Sequence, residues 1–164
     1  MRNRTRDIIK RIAETQGVTY YYGDWARANL VADKVPDDVV FMVDIQQLRG
    51  RMVLWNGSTI NDSPEVMWAF MKRLPSEQAV GERDDIHDDI VQECKEMLFR
   101  MVAAVNTSGY FEQIDGDFEY EIHPERFDAV FTGVFVQLNI VPTTPMCLDD
   151  IEFKPYDPCD DCPP

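Results

Sequence analysis

Apolar side chains recur at helical spacing in three stretches of the chain. The first predicts a helix over residues 5–16, capped by Thr5, ended by Gly17 and apolar along Ile8, Ile9, Ile12 and Ala13. The second predicts a short helix from Asp24 to about Ala32. The third stretch, residues 83–107, has the longest repeat, with apolar residues three and four positions apart at Ile86, Ile90, Cys94, Met97, Met101 and Val105. A helix of this length can cross the back of a small sheet.

Short apolar and β-branched runs predict the first strands. One strand is expected over residues 18–22, and the run 39–45 predicts a buried strand. After Gly50, residues 51–55 predict a separate strand that ends at Asn56-Gly57-Ser58. The segment 64–72 is ambiguous, because Ser63-Pro64-Glu65 is typical of a helix start while the residues after it alternate as in a strand. We favour a third strand.

Two further strands are expected after the long helix. Residues 117–122 alternate strictly between acidic and apolar side chains, and His123-Pro124 is predicted to break that strand. Residues 129–141 alternate again, and Gly133 interrupts one face, which predicts a bulge or a close backbone approach.

These elements predict an α+β fold in which a mainly antiparallel sheet packs against one long amphipathic helix, preceded by an N-terminal helix. Residues 1–142 are expected to form a single domain. Residues 143–164 are rich in proline and aspartate and lack periodicity, so they predict an extended C-terminal tail.

The formal net charge of the 164 residues is −14, from 16 basic and 30 acidic side chains. This balance excludes a simple nucleic-acid binder and disfavours binding to anionic lipid, since both need an excess of Lys and Arg. The acids concentrate at residues 82–96 and 112–128. If both stretches lie on one side of the molecule, they form a negative wall, which repels DNA or mimics it. A generic solvated surface is an equally ordinary explanation.

One histidine lies in a spacing that could hold a metal ion. Asp84, His87 and Asp88 share a helix face, although carboxylates in a first helical turn more often interact with the helix dipole. His123, before a proline, is more simply a turn residue. We therefore predict no metal site.

The four cysteines give little sign of chemistry. Cys159 and Cys162 have the CxxC spacing, but one such pair supplies two ligands where structural zinc needs four, and a tail rich in acids would raise a thiol pKa. Cys94 and Cys147 are isolated and predict small core residues. No phosphate-binding, dinucleotide-binding, zinc-protease or calcium-loop motif is present. We predict no catalytic residue, no cofactor and no enzymatic activity.

No secretory signal or membrane-spanning segment is evident, so residence in a reducing cytoplasm is the default expectation. The triplet Tyr20-Tyr21-Tyr22 could stack on bases. Without neighbouring Lys and Arg side chains, however, it more simply indicates core and partner contacts.

As an ordered pattern, the chain resembles the tail-terminator and neck-ring proteins of tailed bacteriophages. The resemblance rests on the N-terminal helix, the strands Val39–Ile45 and Arg51–Trp55, the helix 83–107 and a final hairpin. The second strand of that hairpin, Phe127–Ile140, carries a D-x-x-x-T-G-V-x-V-x-L pattern similar to the last strand of this family. The resemblance covers about residues 1–142 of the chain.

The resemblance implies a non-enzymatic virion subunit that forms a homo-oligomeric ring at the head-to-tail junction. Such a protein contacts neighbouring neck and tail proteins, lets DNA pass without binding it specifically, has no membrane association and assembles in the host bacterial cytoplasm. Two other classes stay open: an acidic DNA mimic that inhibits a DNA-binding protein, and a small metal-dependent enzyme using Asp84, His87 and Asp88.

Overall fold

The computed structural model describes residues 4–55, 59–74, 80–126, 131–144 and 146–147, and only the backbone of 47–48, 55, 80–85, 123–126 and 146–147. Within these residues the elements follow the order α1 (Arg4–Thr15), β1 (Thr19–Tyr22), α2 (Trp25–Ala32), β2 (Phe41–Trp55), β3 (Thr59–Arg73), α3 (Val80–Thr107), β4 (Tyr120–Arg126), β5 (Phe131–Asn139) and β6 (Met146–Cys147). The predicted α+β class is confirmed.

The strands form one mixed sheet in the order β1-β2-β3-β5-β4, with β6 paired to the outer end of β3. The pairs β2–β3, β3–β5 and β4–β5 are antiparallel, whereas β1 lies parallel to β2. Parallel pairing follows from the connection, because α2 returns the chain to the same end of the sheet before β2 begins.

Helices cover both faces of this sheet. α1 and α3 pack on one face, called here the helix face, where the long repeat predicted for α3 is buried: Ile90, Cys94, Leu98, Met101 and Val105 contact Trp68, Phe70, Val134 and Val136. α2 packs on the opposite face, called the α2 face, where Ala28 and Ala32 join Phe41, Val43, Met71, Phe131 and Phe135. Both faces of the central strands are therefore buried from solvent. Burial raises the pKa of the Cys94 thiol to about 12, as suits the core residue that was predicted.

The helix ends follow the sequence signals with one exception. Gly17 has φ +79° and ends α1, and the Asp24 carboxylate accepts a 2.9 Å hydrogen bond from the Arg27 amide as the cap of α2. The predicted cap at Thr5 is wrong, because α1 already includes Arg4 and Thr5 lies within its first turn.

The prediction of two separate strands on either side of Gly50 is also wrong. β2 runs without a turn from Phe41 to Trp55, and Gly50 lies opposite Pro64 in the ladder with β3. The pairing shifts between Ile45 and Arg49, where β2 contains two more residues than β3. The ladder is therefore irregular just before Gly50, but the strand does not end there.

The ambiguous segment 64–72 is a strand, and β3 begins earlier than expected, at Thr59. Proline is tolerated inside it because Pro64 lies where β3 changes neighbour, from β5 at Glu65 to β6 at Ile60. The outer halves of β2 and β3, residues 49–55 and 59–65, extend past β1 and β5 and are called here the hairpin arm.

β4 starts at Tyr120 and continues to Arg126, so His123-Pro124 does not end it; the ladder is instead irregular between His123 and Arg126. The close approach predicted at Gly133 is confirmed. A Cβ atom there would lie 1.9 Å from the carbonyl oxygen of Phe70 on β3. Only glycine allows β5 to pair this closely at that position.

The predicted tail begins with a short ordered contact, since β6 pairs with Thr59 and Ile60. Residues 148–164, including Cys159 and Cys162, lie outside the described part of the chain, as does the side chain of Cys147.

Candidate functional site

A buried carboxylate lies between the sheet and the helices of the helix face. The Asp44 side chain is fully buried, and it accepts hydrogen bonds from the Tyr20 hydroxyl at 2.5 Å, the Gln46 amide at 2.8 Å and the Trp68 indole at 3.2 Å. β1, β2 and β3 each supply at least one of these groups. One acid therefore joins three neighbouring strands.

The electrostatics of this cluster are dominated by desolvation. Burial raises the pKa of Asp44 from 3.8 to about 6, while the hydrogen bonds from Tyr20, Gln46 and Trp68 oppose the rise. Arg6 of α1 opposes it further through its positive charge, and its guanidinium lies 4.8 Å from the centre of the Tyr22 ring. Burial and the adjacent carboxylate raise the pKa of Tyr20 as well. Asp44, Tyr20, Gln46 and Trp68 thus form one hydrogen-bonded cluster in the core.

In the sequence, Asp44 belongs to an apolar strand, and no role was predicted for it. The signal was available, because an acid inside a run of buried β-branched residues is costly unless donors surround it. The three tyrosines of the triplet have different partners: Tyr20 binds Asp44, Tyr21 packs towards Phe41, and Tyr22 contacts Arg6. The predicted core contacts are thus present for the first two tyrosines.

The two acidic stretches meet at one place. The Lys95 ammonium of α3 lies 4.9 Å from the ring centre of Tyr120, the first residue of β4. The described acids of both stretches are exposed: Asp88, Asp89, Glu93 and Glu96 on α3, and Glu112, Asp115, Asp117, Glu119 and Glu121 before and within β4. Lys72 pairs with Glu93 at 2.7 Å. The surfaces are adjacent, with Lys72 and Lys95 interspersed among the carboxylates.

His87 faces the sheet. Its Nδ1 atom lies 2.7 Å from the Thr132 hydroxyl of β5, while Asp88 is exposed. The side chain of Asp84, the third member of the possible metal trio, is outside the described residues. Among the side chains that the structure does describe, no three His, Cys, Asp or Glu groups are placed to hold a metal ion.

A cleft of about 630 Å³ opens beside β4 and was not predicted. Its apolar wall is formed by Trp25, Met67 and Phe135, with the Trp25 and Phe135 rings 5.1 Å apart. Its acidic rim comes from Asp117, Glu119 and Glu121. Aromatic rings beside carboxylates form a site suited to a cationic side chain.

The hairpin arm carries large exposed apolar side chains. Met52 and Leu54 are 66% and 58% exposed. Their ladder partners are Asp62 and Ile60. Arg49 and Arg51 are exposed too, and neither guanidinium has an ion-pair partner among the described residues. An extension of the sheet that exposes apolar and basic side chains is a feature expected of an assembly surface.

Comparison with known proteins does not assign the chain to a family: no family model matches it, and no curated protein is significantly similar. Among the described helices, none is both long enough and apolar enough to cross a bilayer.

Proposed function

We propose that this protein is a non-enzymatic, ring-forming subunit of the head-to-tail junction of a tailed bacteriophage, in the position of a tail terminator or neck-ring protein. The hairpin arm carries the proposal, because it extends beyond the core and exposes Met52 and Leu54. An assembling subunit can bury these side chains against a neighbour.

The order of elements supports the same function. The chain contains the N-terminal helix, the long helix α3 and the final antiparallel pair on which the phage resemblance rests, whereas the two separate strands of that resemblance are the single strand β2. The sheet ends in strands that no neighbour covers among the described residues, β1 on one side and β4 on the other. Sheets with open edges can be joined from subunit to subunit around a ring.

The charge suits a channel through which DNA passes. Exposed carboxylates on α3 and before β4 repel phosphates, so DNA would slide past them without being gripped. The terminator and stopper roles at the junction share this requirement, so the charge does not separate these two roles.

Imaging tests the ring. Negative-stain images of the concentrated full-length protein are expected to show rings with an open centre, and a mobility-shift assay is expected to show no DNA binding even at low salt. Particles without a central opening, or tight salt-sensitive binding to DNA, would contradict the proposal.

An acidic DNA mimic is the second candidate. Asp115, Asp117, Glu119 and Glu121 are all exposed, and the last three alternate with other residues towards and into β4, where an extended chain places such charges roughly 7 Å apart. A mimic would compete with DNA for a basic nuclease or polymerase in a salt-dependent manner. Loss of that competition in a variant with these four acids neutralised, together with an absence of rings, would favour it.

A further inference from the structure

Two stretches of sheet edge lack a strand neighbour among the described residues. The first belongs to the hairpin arm: β1 pairs with β2 only from Phe41 to Asp44, so the edge of β2 beyond this point is open. The second is the outer edge of β4, the last strand in the sheet. Open edges present rows of backbone donors and acceptors that can accept another strand.

The exposed apolar side chains of both edges lie on the helix face. Met52 and Leu54 share a face with Val66 and Trp68, because their ladder partners Asp62 and Ile60 continue the same alternation along β3. On β4, Tyr120 and Ile122 lie opposite Val136 and Val134, which belong to the helix-face core, and each is 45% exposed.

The charges of the two edges are opposite and lie on the α2 face. Arg49 and Arg51 lie across from Glu65 and Ser63, on the same face as Met67. Glu121 lies opposite Phe135, and Glu119 joins it on the rim of the cleft that contains Met67 and Phe135.

We propose that the β2 edge of the hairpin arm pairs antiparallel with the β4 edge of a second copy of this chain. β2 and β4 already run antiparallel within one sheet, so two copies in the same orientation bring these edges together with their helix faces on one side. Met52 and Leu54 then meet Tyr120 and Ile122. This register pairs Met52 with Ile122 and Leu54 with Tyr120, and on the reverse face it places Arg51 diagonally across from Glu121, within reach of its long side chain.

This contact joins different surfaces of the two copies, so it propagates from copy to copy and closes into a ring when the rotation permits. It deepens the ring part of the proposed function and rests on that part alone. The place of the ring in a phage particle is a separate question.

The test uses full-length protein in sedimentation velocity from about 1 µM to about 1 mM. Wild-type protein is expected to associate. Leu54→Lys and Ile122→Lys are each expected to weaken association by about tenfold or more, because a charge replaces a buried contact. Leu30→Lys is the matched control, since Leu30 is 72% exposed but lies on α2. Unchanged melting temperatures show that the variants fold.

Mixing the two variants tests whether the arm of one copy contacts the β4 edge of another. Leu54→Lys retains an intact β4 edge and Ile122→Lys an intact arm, so the mixture has one functional contact and is expected to form dimers of one copy of each. Three results would overturn the proposal: a monomeric wild type at about 1 mM, single variants that associate like wild type, or a mixture that stays monomeric. If the dimers form but the chain is absent from phage particles, the contact stands and only the phage function fails.

Discussion

The Tyr20 hydroxyl donates a 2.5 Å hydrogen bond to the Asp44 carboxylate across the parallel pair β1–β2. β1 is a four-residue edge strand, and this bond ties it to a fully buried acid that β3 also reaches through Trp68. Because a buried carboxylate is unfavourable in its charged form, the pKa of Asp44 rises to about 6 despite its donors.

The first prediction concerns the pH dependence of stability. A carboxyl group whose folded-state pKa is raised from 3.8 to about 6 binds a proton more tightly in the folded protein. The free energy of unfolding therefore falls as pH rises through this range, by about 3 kcal/mol in total, and the penalty levels off above about pH 7. Asp44→Asn, which does not titrate, is expected to lose this component.

Urea titrations of wild type and Asp44→Asn from pH 4 to 7.5 measure this pH-dependent part of the unfolding free energy. The difference in unfolding free energy between the two proteins should move by about 2.5 kcal/mol in favour of the neutral variant over this pH range. The exposed Asp62→Asn variant controls for the general effect of removing one acid. A pH-independent difference for Asp44→Asn would contradict the assignment.

The second prediction isolates the Tyr20 hydrogen bond. Tyr20→Phe removes a donor from the charged carboxylate and is expected to lower the free energy of unfolding by about 1.5–3 kcal/mol at pH 7.5. The loss should shrink below pH 5, where Asp44 is neutral. Tyr110→Phe, at a tyrosine 49% exposed, should change stability little. Equal losses at both pH values would mean that packing, and not the hydrogen bond, is responsible.

The helices were predictable because their signals are local. Periodic burial identified α3, and Gly17 and Asp24 marked helix ends that the structure retains. The strand boundaries were harder, because pairing is not local. Gly50 suggested a turn, yet the ladder with β3 carries β2 straight through it, and Pro64 is accepted only because β3 changes neighbours there.

The third prediction concerns Gly133. An added Cβ would lie 1.9 Å from the Phe70 carbonyl oxygen and 2.8 Å from the Met71 Cα, and neither backbone atom can move without displacing β3. Gly133→Ala is expected to cost more than about 3 kcal/mol or to prevent folding. Gly50→Ala is the control, since its Cβ would meet no atom closer than 3.7 Å. Thermal melts that show equal stability for both variants would refute the close approach.

The fourth prediction follows from the net charge of −14. Self-repulsion among exposed acids destabilises the folded chain, so the melting temperature at pH 7.5 should rise as sodium chloride increases from about 0.01 to about 0.5 M. A variant with Asp115, Asp117 and Glu119 changed to Asn and Gln should show a smaller rise. A melting temperature that falls with salt would indicate that attractive ion pairs dominate.

The candidate surfaces were only partly visible in the sequence. The two acidic stretches could be counted, but their meeting at Lys95 and Tyr120 depends on how α3 crosses the sheet. Met52 and Leu54 looked like ordinary strand residues. Their exposure is a consequence of the arm extending past β1 and β5, which only the ladder registers reveal.

The phage function is tested by a reconstruction of the head-to-tail junction in phage particles that encode this chain. We expect a ring of identical subunits at the neck into which the described fold fits, with DNA or an open channel at its centre. Particles whose junction is fully explained by other proteins, with this chain absent from the purified virion by mass spectrometry, would contradict it.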